Sequence, residues 1–322
     1  MKMLRNEMAD TASRKHFAFG VFCTLLGGAL WGFSGACLQR LLGSYDISPL
    51  FVTVVRMVGS GIVFLIILLI TKRDEMKRIF KDARMVGRFI FFGVVGLFFC
   101  QITYIMTIMY TNAGTATVLQ CTGTIFIMLF SCILARRLPF LRDFIGLILA
   151  VTATVLIATQ GDLSTLSVPL EGLIWGLLCG LTVMTYVMYP KKLFAQWGSL
   201  PVTGLGMLFG GIAAALLYCA GPLYGQPLAL PDLDAEGIIL FALVVVVGTI
   251  AAFALYLHGV SIVGSVKGGL LGTIEPVSAT VICAVWLGTV FTGYDIAGLI
   301  MMIVMIVLVS GKESEKNQDQ SA

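Results

Sequence analysis

Apolar residues in this chain follow neither a one-sided helical stripe nor an alternating strand period; they run on in long stretches between short polar turns. A stretch of ~18–20 apolar residues, coiled as a helix, matches the ~30 Å hydrocarbon thickness of a bilayer. The pattern places such spans near 17–39, 49–71, 87–109, 112–135, 143–160, 170–190, 200–220, 236–257, 260–287 and 293–310. Irregular backbone cannot face lipid, and the period-two alternation of a barrel is absent, so every span is expected to be helical. The expected fold is an all-α integral membrane bundle of ten transmembrane helices. Composition agrees, with 58% hydrophobic and 12% charged residues and a mean hydropathy of +0.99.

The ten spans form two related sets of five. A displacement of 152 residues, from 104 to 256, superposes Tyr104 on Tyr256, Leu119 on Leu271, Asp143 on Asp295 and Gly146 on Gly298 without a gap. A Trp-Gly pair opens each half, at Trp31-Gly32 and Trp175-Gly176. An odd number of spans turns the second copy over, which predicts inverted repeats around a central cavity near the bilayer midplane. The expected organisation is an N-terminal segment 1–16, a first repeat 17–160, a linker 161–169, a second repeat 170–311 and a polar tail 312–322, expected to be disordered.

Charge orients the bundle. Lys2, Arg5, Arg14, Lys15, the basic residues of the loop 72–88, Arg136, Arg137, Arg142, Lys191, Lys192, Lys312 and Lys316 all fall on one side of a ten-span arrangement. The other side holds Asp46, Asp162, Glu171, Asp232, Asp234, Glu236 and Asp295, with Arg40 its one base. The positive-inside rule then predicts a multi-pass protein of the cytoplasmic membrane with both termini cytoplasmic. No cleavable signal peptide is expected, because the first apolar run is long enough to span. Met76, Ile79, Phe80, Ala83 and Val86 recur at near-helical spacing in the loop 72–88, predicting a short amphipathic helix on the inner leaflet. The cysteines lie within spans in no metal-type spacing and read as packing residues, so no metal and no cofactor are expected.

With the early Trp-Gly pairs, the Ser48-Pro49-Leu50 before span two, Arg56 inside it, and Glu275-Pro276 followed by Leu287-Gly288 in span nine, the chain resembles the EamA-like family of the drug/metabolite transporter superfamily. The resemblance covers about 17–310. The family pattern usually has a proline in span four where this chain has Thr124, and Gly-Glu where it has Arg136-Arg137 and Gly288-Thr289. The resemblance implies a secondary transporter, often an exporter, moving small metabolites such as amino acids by alternating access. The fold by itself does not name the cargo.

Ionisable groups inside apolar spans cost about 2.5–3.5 kcal/mol each to insert at the centre of a helix, so each needs a reason. Glu275 lies halfway along span nine. Pro276 after it removes an amide donor and frees the carbonyl of Gly272, and with Gly268, Gly269 and Gly272 upstream it predicts a broken helix able to gate. Glu275 can take a substrate ammonium or a coupling proton, or pair with Arg56 to lock packing. Arg56 can bind a carboxylate or snorkel outward. Lys267, eight residues before Glu275, can grip the far end of a zwitterion or reach the interface. His258 reads as an interfacial residue satisfied by water. Tyr104 and Tyr256, equivalent in the two halves, are candidates to line the cavity, as are Trp31, Trp175, Tyr186, Gln101 and Gln120.

These readings favour a secondary active transporter of amino acids or related zwitterions, with proton coupling open. The partners are a small-molecule metabolite and the lipid bilayer, with a homodimer left open and nucleic acid not expected. An integral-membrane enzyme and an uncoupled channel-like facilitator are the alternatives. Against an enzyme stand the absence of Gly-x-Ser-x-Gly and His-Glu-x-x-His motifs and of surface carboxylate clusters. Nothing resembles a selectivity filter, and no phosphate-binding loop suggests an ATP-driven pump.

Overall fold

The structure, a computed structural model, describes the backbone of residues 2–136, 138–224 and 230–319 and the side chains of 16–136, 138–223, 230–264 and 267–309. Arg137 and the side chains of Lys2, Arg5, Arg14, Lys15, Lys312 and Lys316 lie outside the described residues. Among the described residues, helices long and apolar enough to cross a membrane run at His16–Ser44, Pro49–Thr71, Ala83–Tyr110, Ala113–Leu134, Leu141–Thr159, Leu170–Trp197, Ser199–Cys219, Ala235–Val263 and Lys267–Leu287. A shorter apolar helix, Gly293–Val309, completes the series. These are spans one to ten below.

Several boundaries differ from the sequence reading, span one reaching Ser44 and span six Trp197. Span eight continues to Val263 and ends at Gly264, whose φ of +88° only glycine tolerates without strain. His258 is therefore inside the helix rather than at its end, exposed and edge-on to Phe19. The chain expected to be a disordered tail from Lys312 is helical through Asp319, since extending a formed helix costs little where no proline intervenes. The loop after span two forms Arg73–Lys81, and Asp82 caps the next helix by accepting from the amides of Arg84 (2.9 Å) and Met85 (3.3 Å). Its Met76 and Ile79 are buried with Phe64, Leu68 and Phe89 at the basic end of the bundle, so the amphipathic helix packs on protein as well as facing outward through Phe80.

Helix pairing follows the inverted repeat. Span one packs on eight and nine, and span six on three and four; two pairs with seven, and five with ten. In lipid no hydrophobic force draws helices together, so small residues that admit close approach carry the packing. A Cβ at Gly146 would come within 2.5 Å of Val309, and one at Gly298 within 2.6 Å of Ile157. The two contacts are images of one another, because Gly146 and Ile157 of span five map onto Gly298 and Val309 of span ten by the same 152-residue displacement. Large apolar residues such as Phe22, Ile66, Ile70, Ile133 and Val285 stay exposed around the perimeter, where acyl chains would meet them.

Two irregularities also recur at equivalent places. Span nine is broken between Ser265–Leu271 and Ile274–Leu287, and span four between Ala113–Gln120 and Gly123–Leu134. Spans three and eight each contain a π-helical segment, Phe92–Phe98 and Leu243–Ala251. At the acidic end, polar ties bind the spans together. Arg40 pairs with Glu236 at 2.9 Å, the Tyr45 hydroxyl donates to Asp234, and Gln39 donates to Thr289 (2.9 Å) while accepting from the Ala113 amide (2.8 Å). Gln160 donates to Asp295 at 2.8 Å, joining spans five and ten.

Candidate functional site

Span two starts at Pro49, behind a Ser48 side chain that accepts from the Phe51 amide at 3.1 Å. Pro suits that first turn because the amide it lacks would have no helical partner there. About two turns on, Arg56 is only 5% exposed and turned inward. Its Nε donates to the Thr249 hydroxyl of span eight at 3.2 Å, while its Nη1 is buried with no hydrogen-bond partner.

Glu275 is the second residue of Ile274–Leu287, directly after the break in span nine. A helix's first turn is the positive end of its dipole and favours a carboxylate. The sequence predicted that Pro276 would free the Gly272 carbonyl; that oxygen instead accepts from the Glu275 amide at 3.0 Å, a tighter turn that closes the break. The Glu275 backbone is fixed from span one as well, where a Cβ at Gly32 would come within 2.7 Å of its carbonyl oxygen.

Arg56 and Glu275 line one cavity of about 120 Å³ together with Trp31, Gln101, Tyr104, Gln120 and Tyr186. They form no salt bridge with each other. Tyr104 is 7% exposed, and its hydroxyl lies over Gly35, where a Cβ would come within 2.7 Å; that hydroxyl too has no partner. Gln120 ends the first half of broken span four, so both breaks border the cavity. One wall is aromatic. Trp31 meets Phe253 edge-on at 4.9 Å, and Tyr186 stacks on Phe92 at 6.3 Å.

Tyr256, Trp175 and Lys267 are not brought into the lining. Tyr256 packs on Trp31 at 4.7 Å and donates to the Gly268 carbonyl at 3.1 Å, which makes it a support for the wall and for the first half of span nine. Trp175 is half-buried on span six. Lys267 is exposed, with its ammonium 4.8 Å from the centre of the Phe17 ring, a cation–π contact at the helix end. Of the glycines before the break, Gly268 and Gly272 pack against span eight, whereas Gly269 has open space about it.

Leu97, Cys100 and Phe253 also line the cavity and were not singled out from sequence. Leu97 and Cys100 lie one turn from Gln101 and Tyr104, so helical spacing from those residues was an available signal. Phe253 is the repeat equivalent of Gln101, at the displacement that relates Tyr104 to Tyr256. No group of three or more His, Cys, Asp or Glu among the described residues is arranged to hold a metal ion.

A buried guanidinium and a carboxylate facing one space without pairing can each receive an opposite charge, and the aromatic wall can hold an apolar group between them. At about 120 Å³ the cavity is below the ~300–1,000 Å³ of drug-sized pockets, which fits a small solute.

The description of the EamA-like transporter family matches residues 18–159 and again 170–311. The chain is 30% identical over 291 residues to a Salmonella typhimurium protein described as an uncharacterized inner membrane transporter, YicL, covering 90% of this chain and 95% of that one. A solved crystal structure, described only as that of a protein, shares the fold with a TM-score of 0.60 at 18% identity, over 90% of this chain and 95% of its own.

Proposed function

The chain belongs to the EamA-like transporter family, and from that premise we propose that it is a secondary active transporter that exports amino acids or related zwitterions across the cytoplasmic membrane. The observation that carries this reading is the pair Arg56 and Glu275, which line the same cavity at the junction of the repeats without a salt bridge between them. In this proposal Arg56 takes the cargo carboxylate and Glu275 takes the ammonium, or a coupling proton when the cargo has left. The Gln101 and Gln120 amides supply neutral hydrogen bonds. Lys267, which sequence alone could offer as the carboxylate's partner, is assigned to the interface.

By the positive-inside rule the basic end and both termini face the cytoplasm. The polar ties then close the outer face, and the two halves rock about the cavity to open it. The protein carries out no chemistry on its cargo.

The test is proton flux in proteoliposomes on adding amino acids, amines and carboxylates singly, with wild type and Glu275→Gln. The expected result is an amino-acid-dependent flux that the variant loses while keeping amino-acid exchange. Uphill transport undiminished in the variant removes Glu275 from coupling. Exchange without any proton flux in wild type supports the facilitator reading instead.

A further inference from the structure

Span eight leaves the α-helical pattern over Leu243–Ala251, where the turns widen to the π form. π-helical geometry is rare in proteins and frequent at functional sites. Within this segment, the Thr249 hydroxyl donates to the Val244 carbonyl, five residues back, at 2.9 Å. A hydroxyl has one proton and two acceptor lone pairs. With its proton committed to Val244, Thr249 can only accept from Arg56, whose Nε approaches at 3.2 Å. Both residues are buried, Thr249 fully, so no water competes for the contact.

A guanidinium is a rigid planar fork, and one tethered nitrogen restricts where the others point. Arg56 is tethered through Nε, and its Nη1 is buried and unpartnered on a residue that lines the cavity. The Tyr104 hydroxyl on the same cavity is buried and unpartnered too. Buried donors left unmade are costly, so an acceptor that reaches both lowers the energy of the site. A carboxylate is the planar acceptor that an arginine fork matches.

The first half supplies an internal control. Displaced by 152 residues, Thr249 falls on Leu97, within the π segment Phe92–Phe98. That segment forms without any hydroxyl at this position, so the wide turn does not require one. The hydroxyl occurs only in the segment that Arg56 bonds to.

We infer that Thr249 is a positioning residue, which orients the Arg56 guanidinium so that its free edge receives the carboxylate of the cargo. This rests on the transport of zwitterions proposed above. The experiment is counterflow in proteoliposomes with labelled L-leucine and L-phenylalanine, each paired with its amine analogue lacking the carboxylate, isopentylamine and phenethylamine. Thr249→Val should raise the half-saturation concentration for the amino acids about tenfold more than for the amines, with Thr249→Ser close to wild type. Should the valine variant fail to assemble, Thr249→Cys, with a weakly accepting sulfur, should shift the same ratio in the same direction. An equal effect on amino acid and amine, or none on either, overturns the positioning role and leaves the transport reading standing. Wild type that carries no amino acid overturns both.

Discussion

Arg56 and Tyr104 share an unusual condition for buried polar side chains, each having a donor with nothing to give it to. Natural interiors leave few such groups, and those that remain need an explanation. Removing one should therefore separate stability from function. Tyr104→Phe deletes the unpartnered hydroxyl and keeps the ring, so we expect thermal stability in detergent to hold or rise by about 1 kcal/mol. Counterflow of the cargo should fall. A clear drop in melting temperature would mean that the hydroxyl supports the fold instead. The chemistry at this scale was largely legible: Arg56, Glu275, Tyr104, Trp31, Tyr186, Gln101 and Gln120 are polar or aromatic residues that a lipid-facing helix has no use for, and all line the cavity. Lys267 and Tyr256 have the same character but meet Phe17 and Gly268, contacts that no sequence spacing encodes.

Among the elements, the breaks in spans four and nine show how far a proline signal reaches. Pro276 announced the break in span nine; its counterpart by the repeat is Thr124, yet span four breaks at the equivalent place. There Thr122 donates to Leu119 at 3.0 Å and Thr124 to Cys121 at 3.0 Å, short-range bonds that carry the chain through the break. Thr124 is the second residue of Gly123–Leu134, and a first helical turn tolerates proline. Thr124→Pro forfeits the bond to Cys121 but no helical one, and should cost about 1 kcal/mol, against ~3 kcal/mol for Leu129→Pro in the middle of the same helix. Equal losses in thermal unfolding would show that the break in span four is not a helix start. The π segments left no comparable mark, since the Leu, Val, Gly and Phe residues that mostly compose them recur throughout the regular spans.

Across the whole molecule, the polar ties at the acidic end join helices of the two halves. Tyr45 and Asp234 join the end of span one to the start of span eight. The bond to Asp234 pushes the Tyr45 hydroxyl up to about 12. The bond from Tyr45, followed by the Gly237 amide, holds Asp234 below its ordinary 3.8. The signs set the window: the tyrosine's share is fully present below its ordinary 10.0 and lost as pH rises through about 12, and the aspartate's is present above 3.8 and lost as pH falls through its lowered value. The tie thus holds throughout the neutral range, so under the proposed alternating access its release would follow cargo rather than titration of this pair. Because the contact runs from a tyrosine tip to an aspartate tip, Tyr45→Cys combined with Asp234→Cys should need a bifunctional thiosulfonate spacer, which should arrest counterflow until a reductant restores it. Full-rate counterflow by the cross-linked protein would exclude this contact from the gate.

The sequence alone determined the helical membrane fold, the number of spans, their grouping into inverted halves and most of the residues that line the cavity. It could do so because lipid forbids unpaired backbone and makes each buried polar residue conspicuous. Only the tertiary structure decided which partner each polar group takes. The two faces of a helix differ by a few residues in sequence, but one turns Arg56 toward Thr249 and the cavity while another sends Lys267 out over Phe17. That choice is made by helix rotation and close glycine contacts between spans far apart along the chain, and no local pattern carries it.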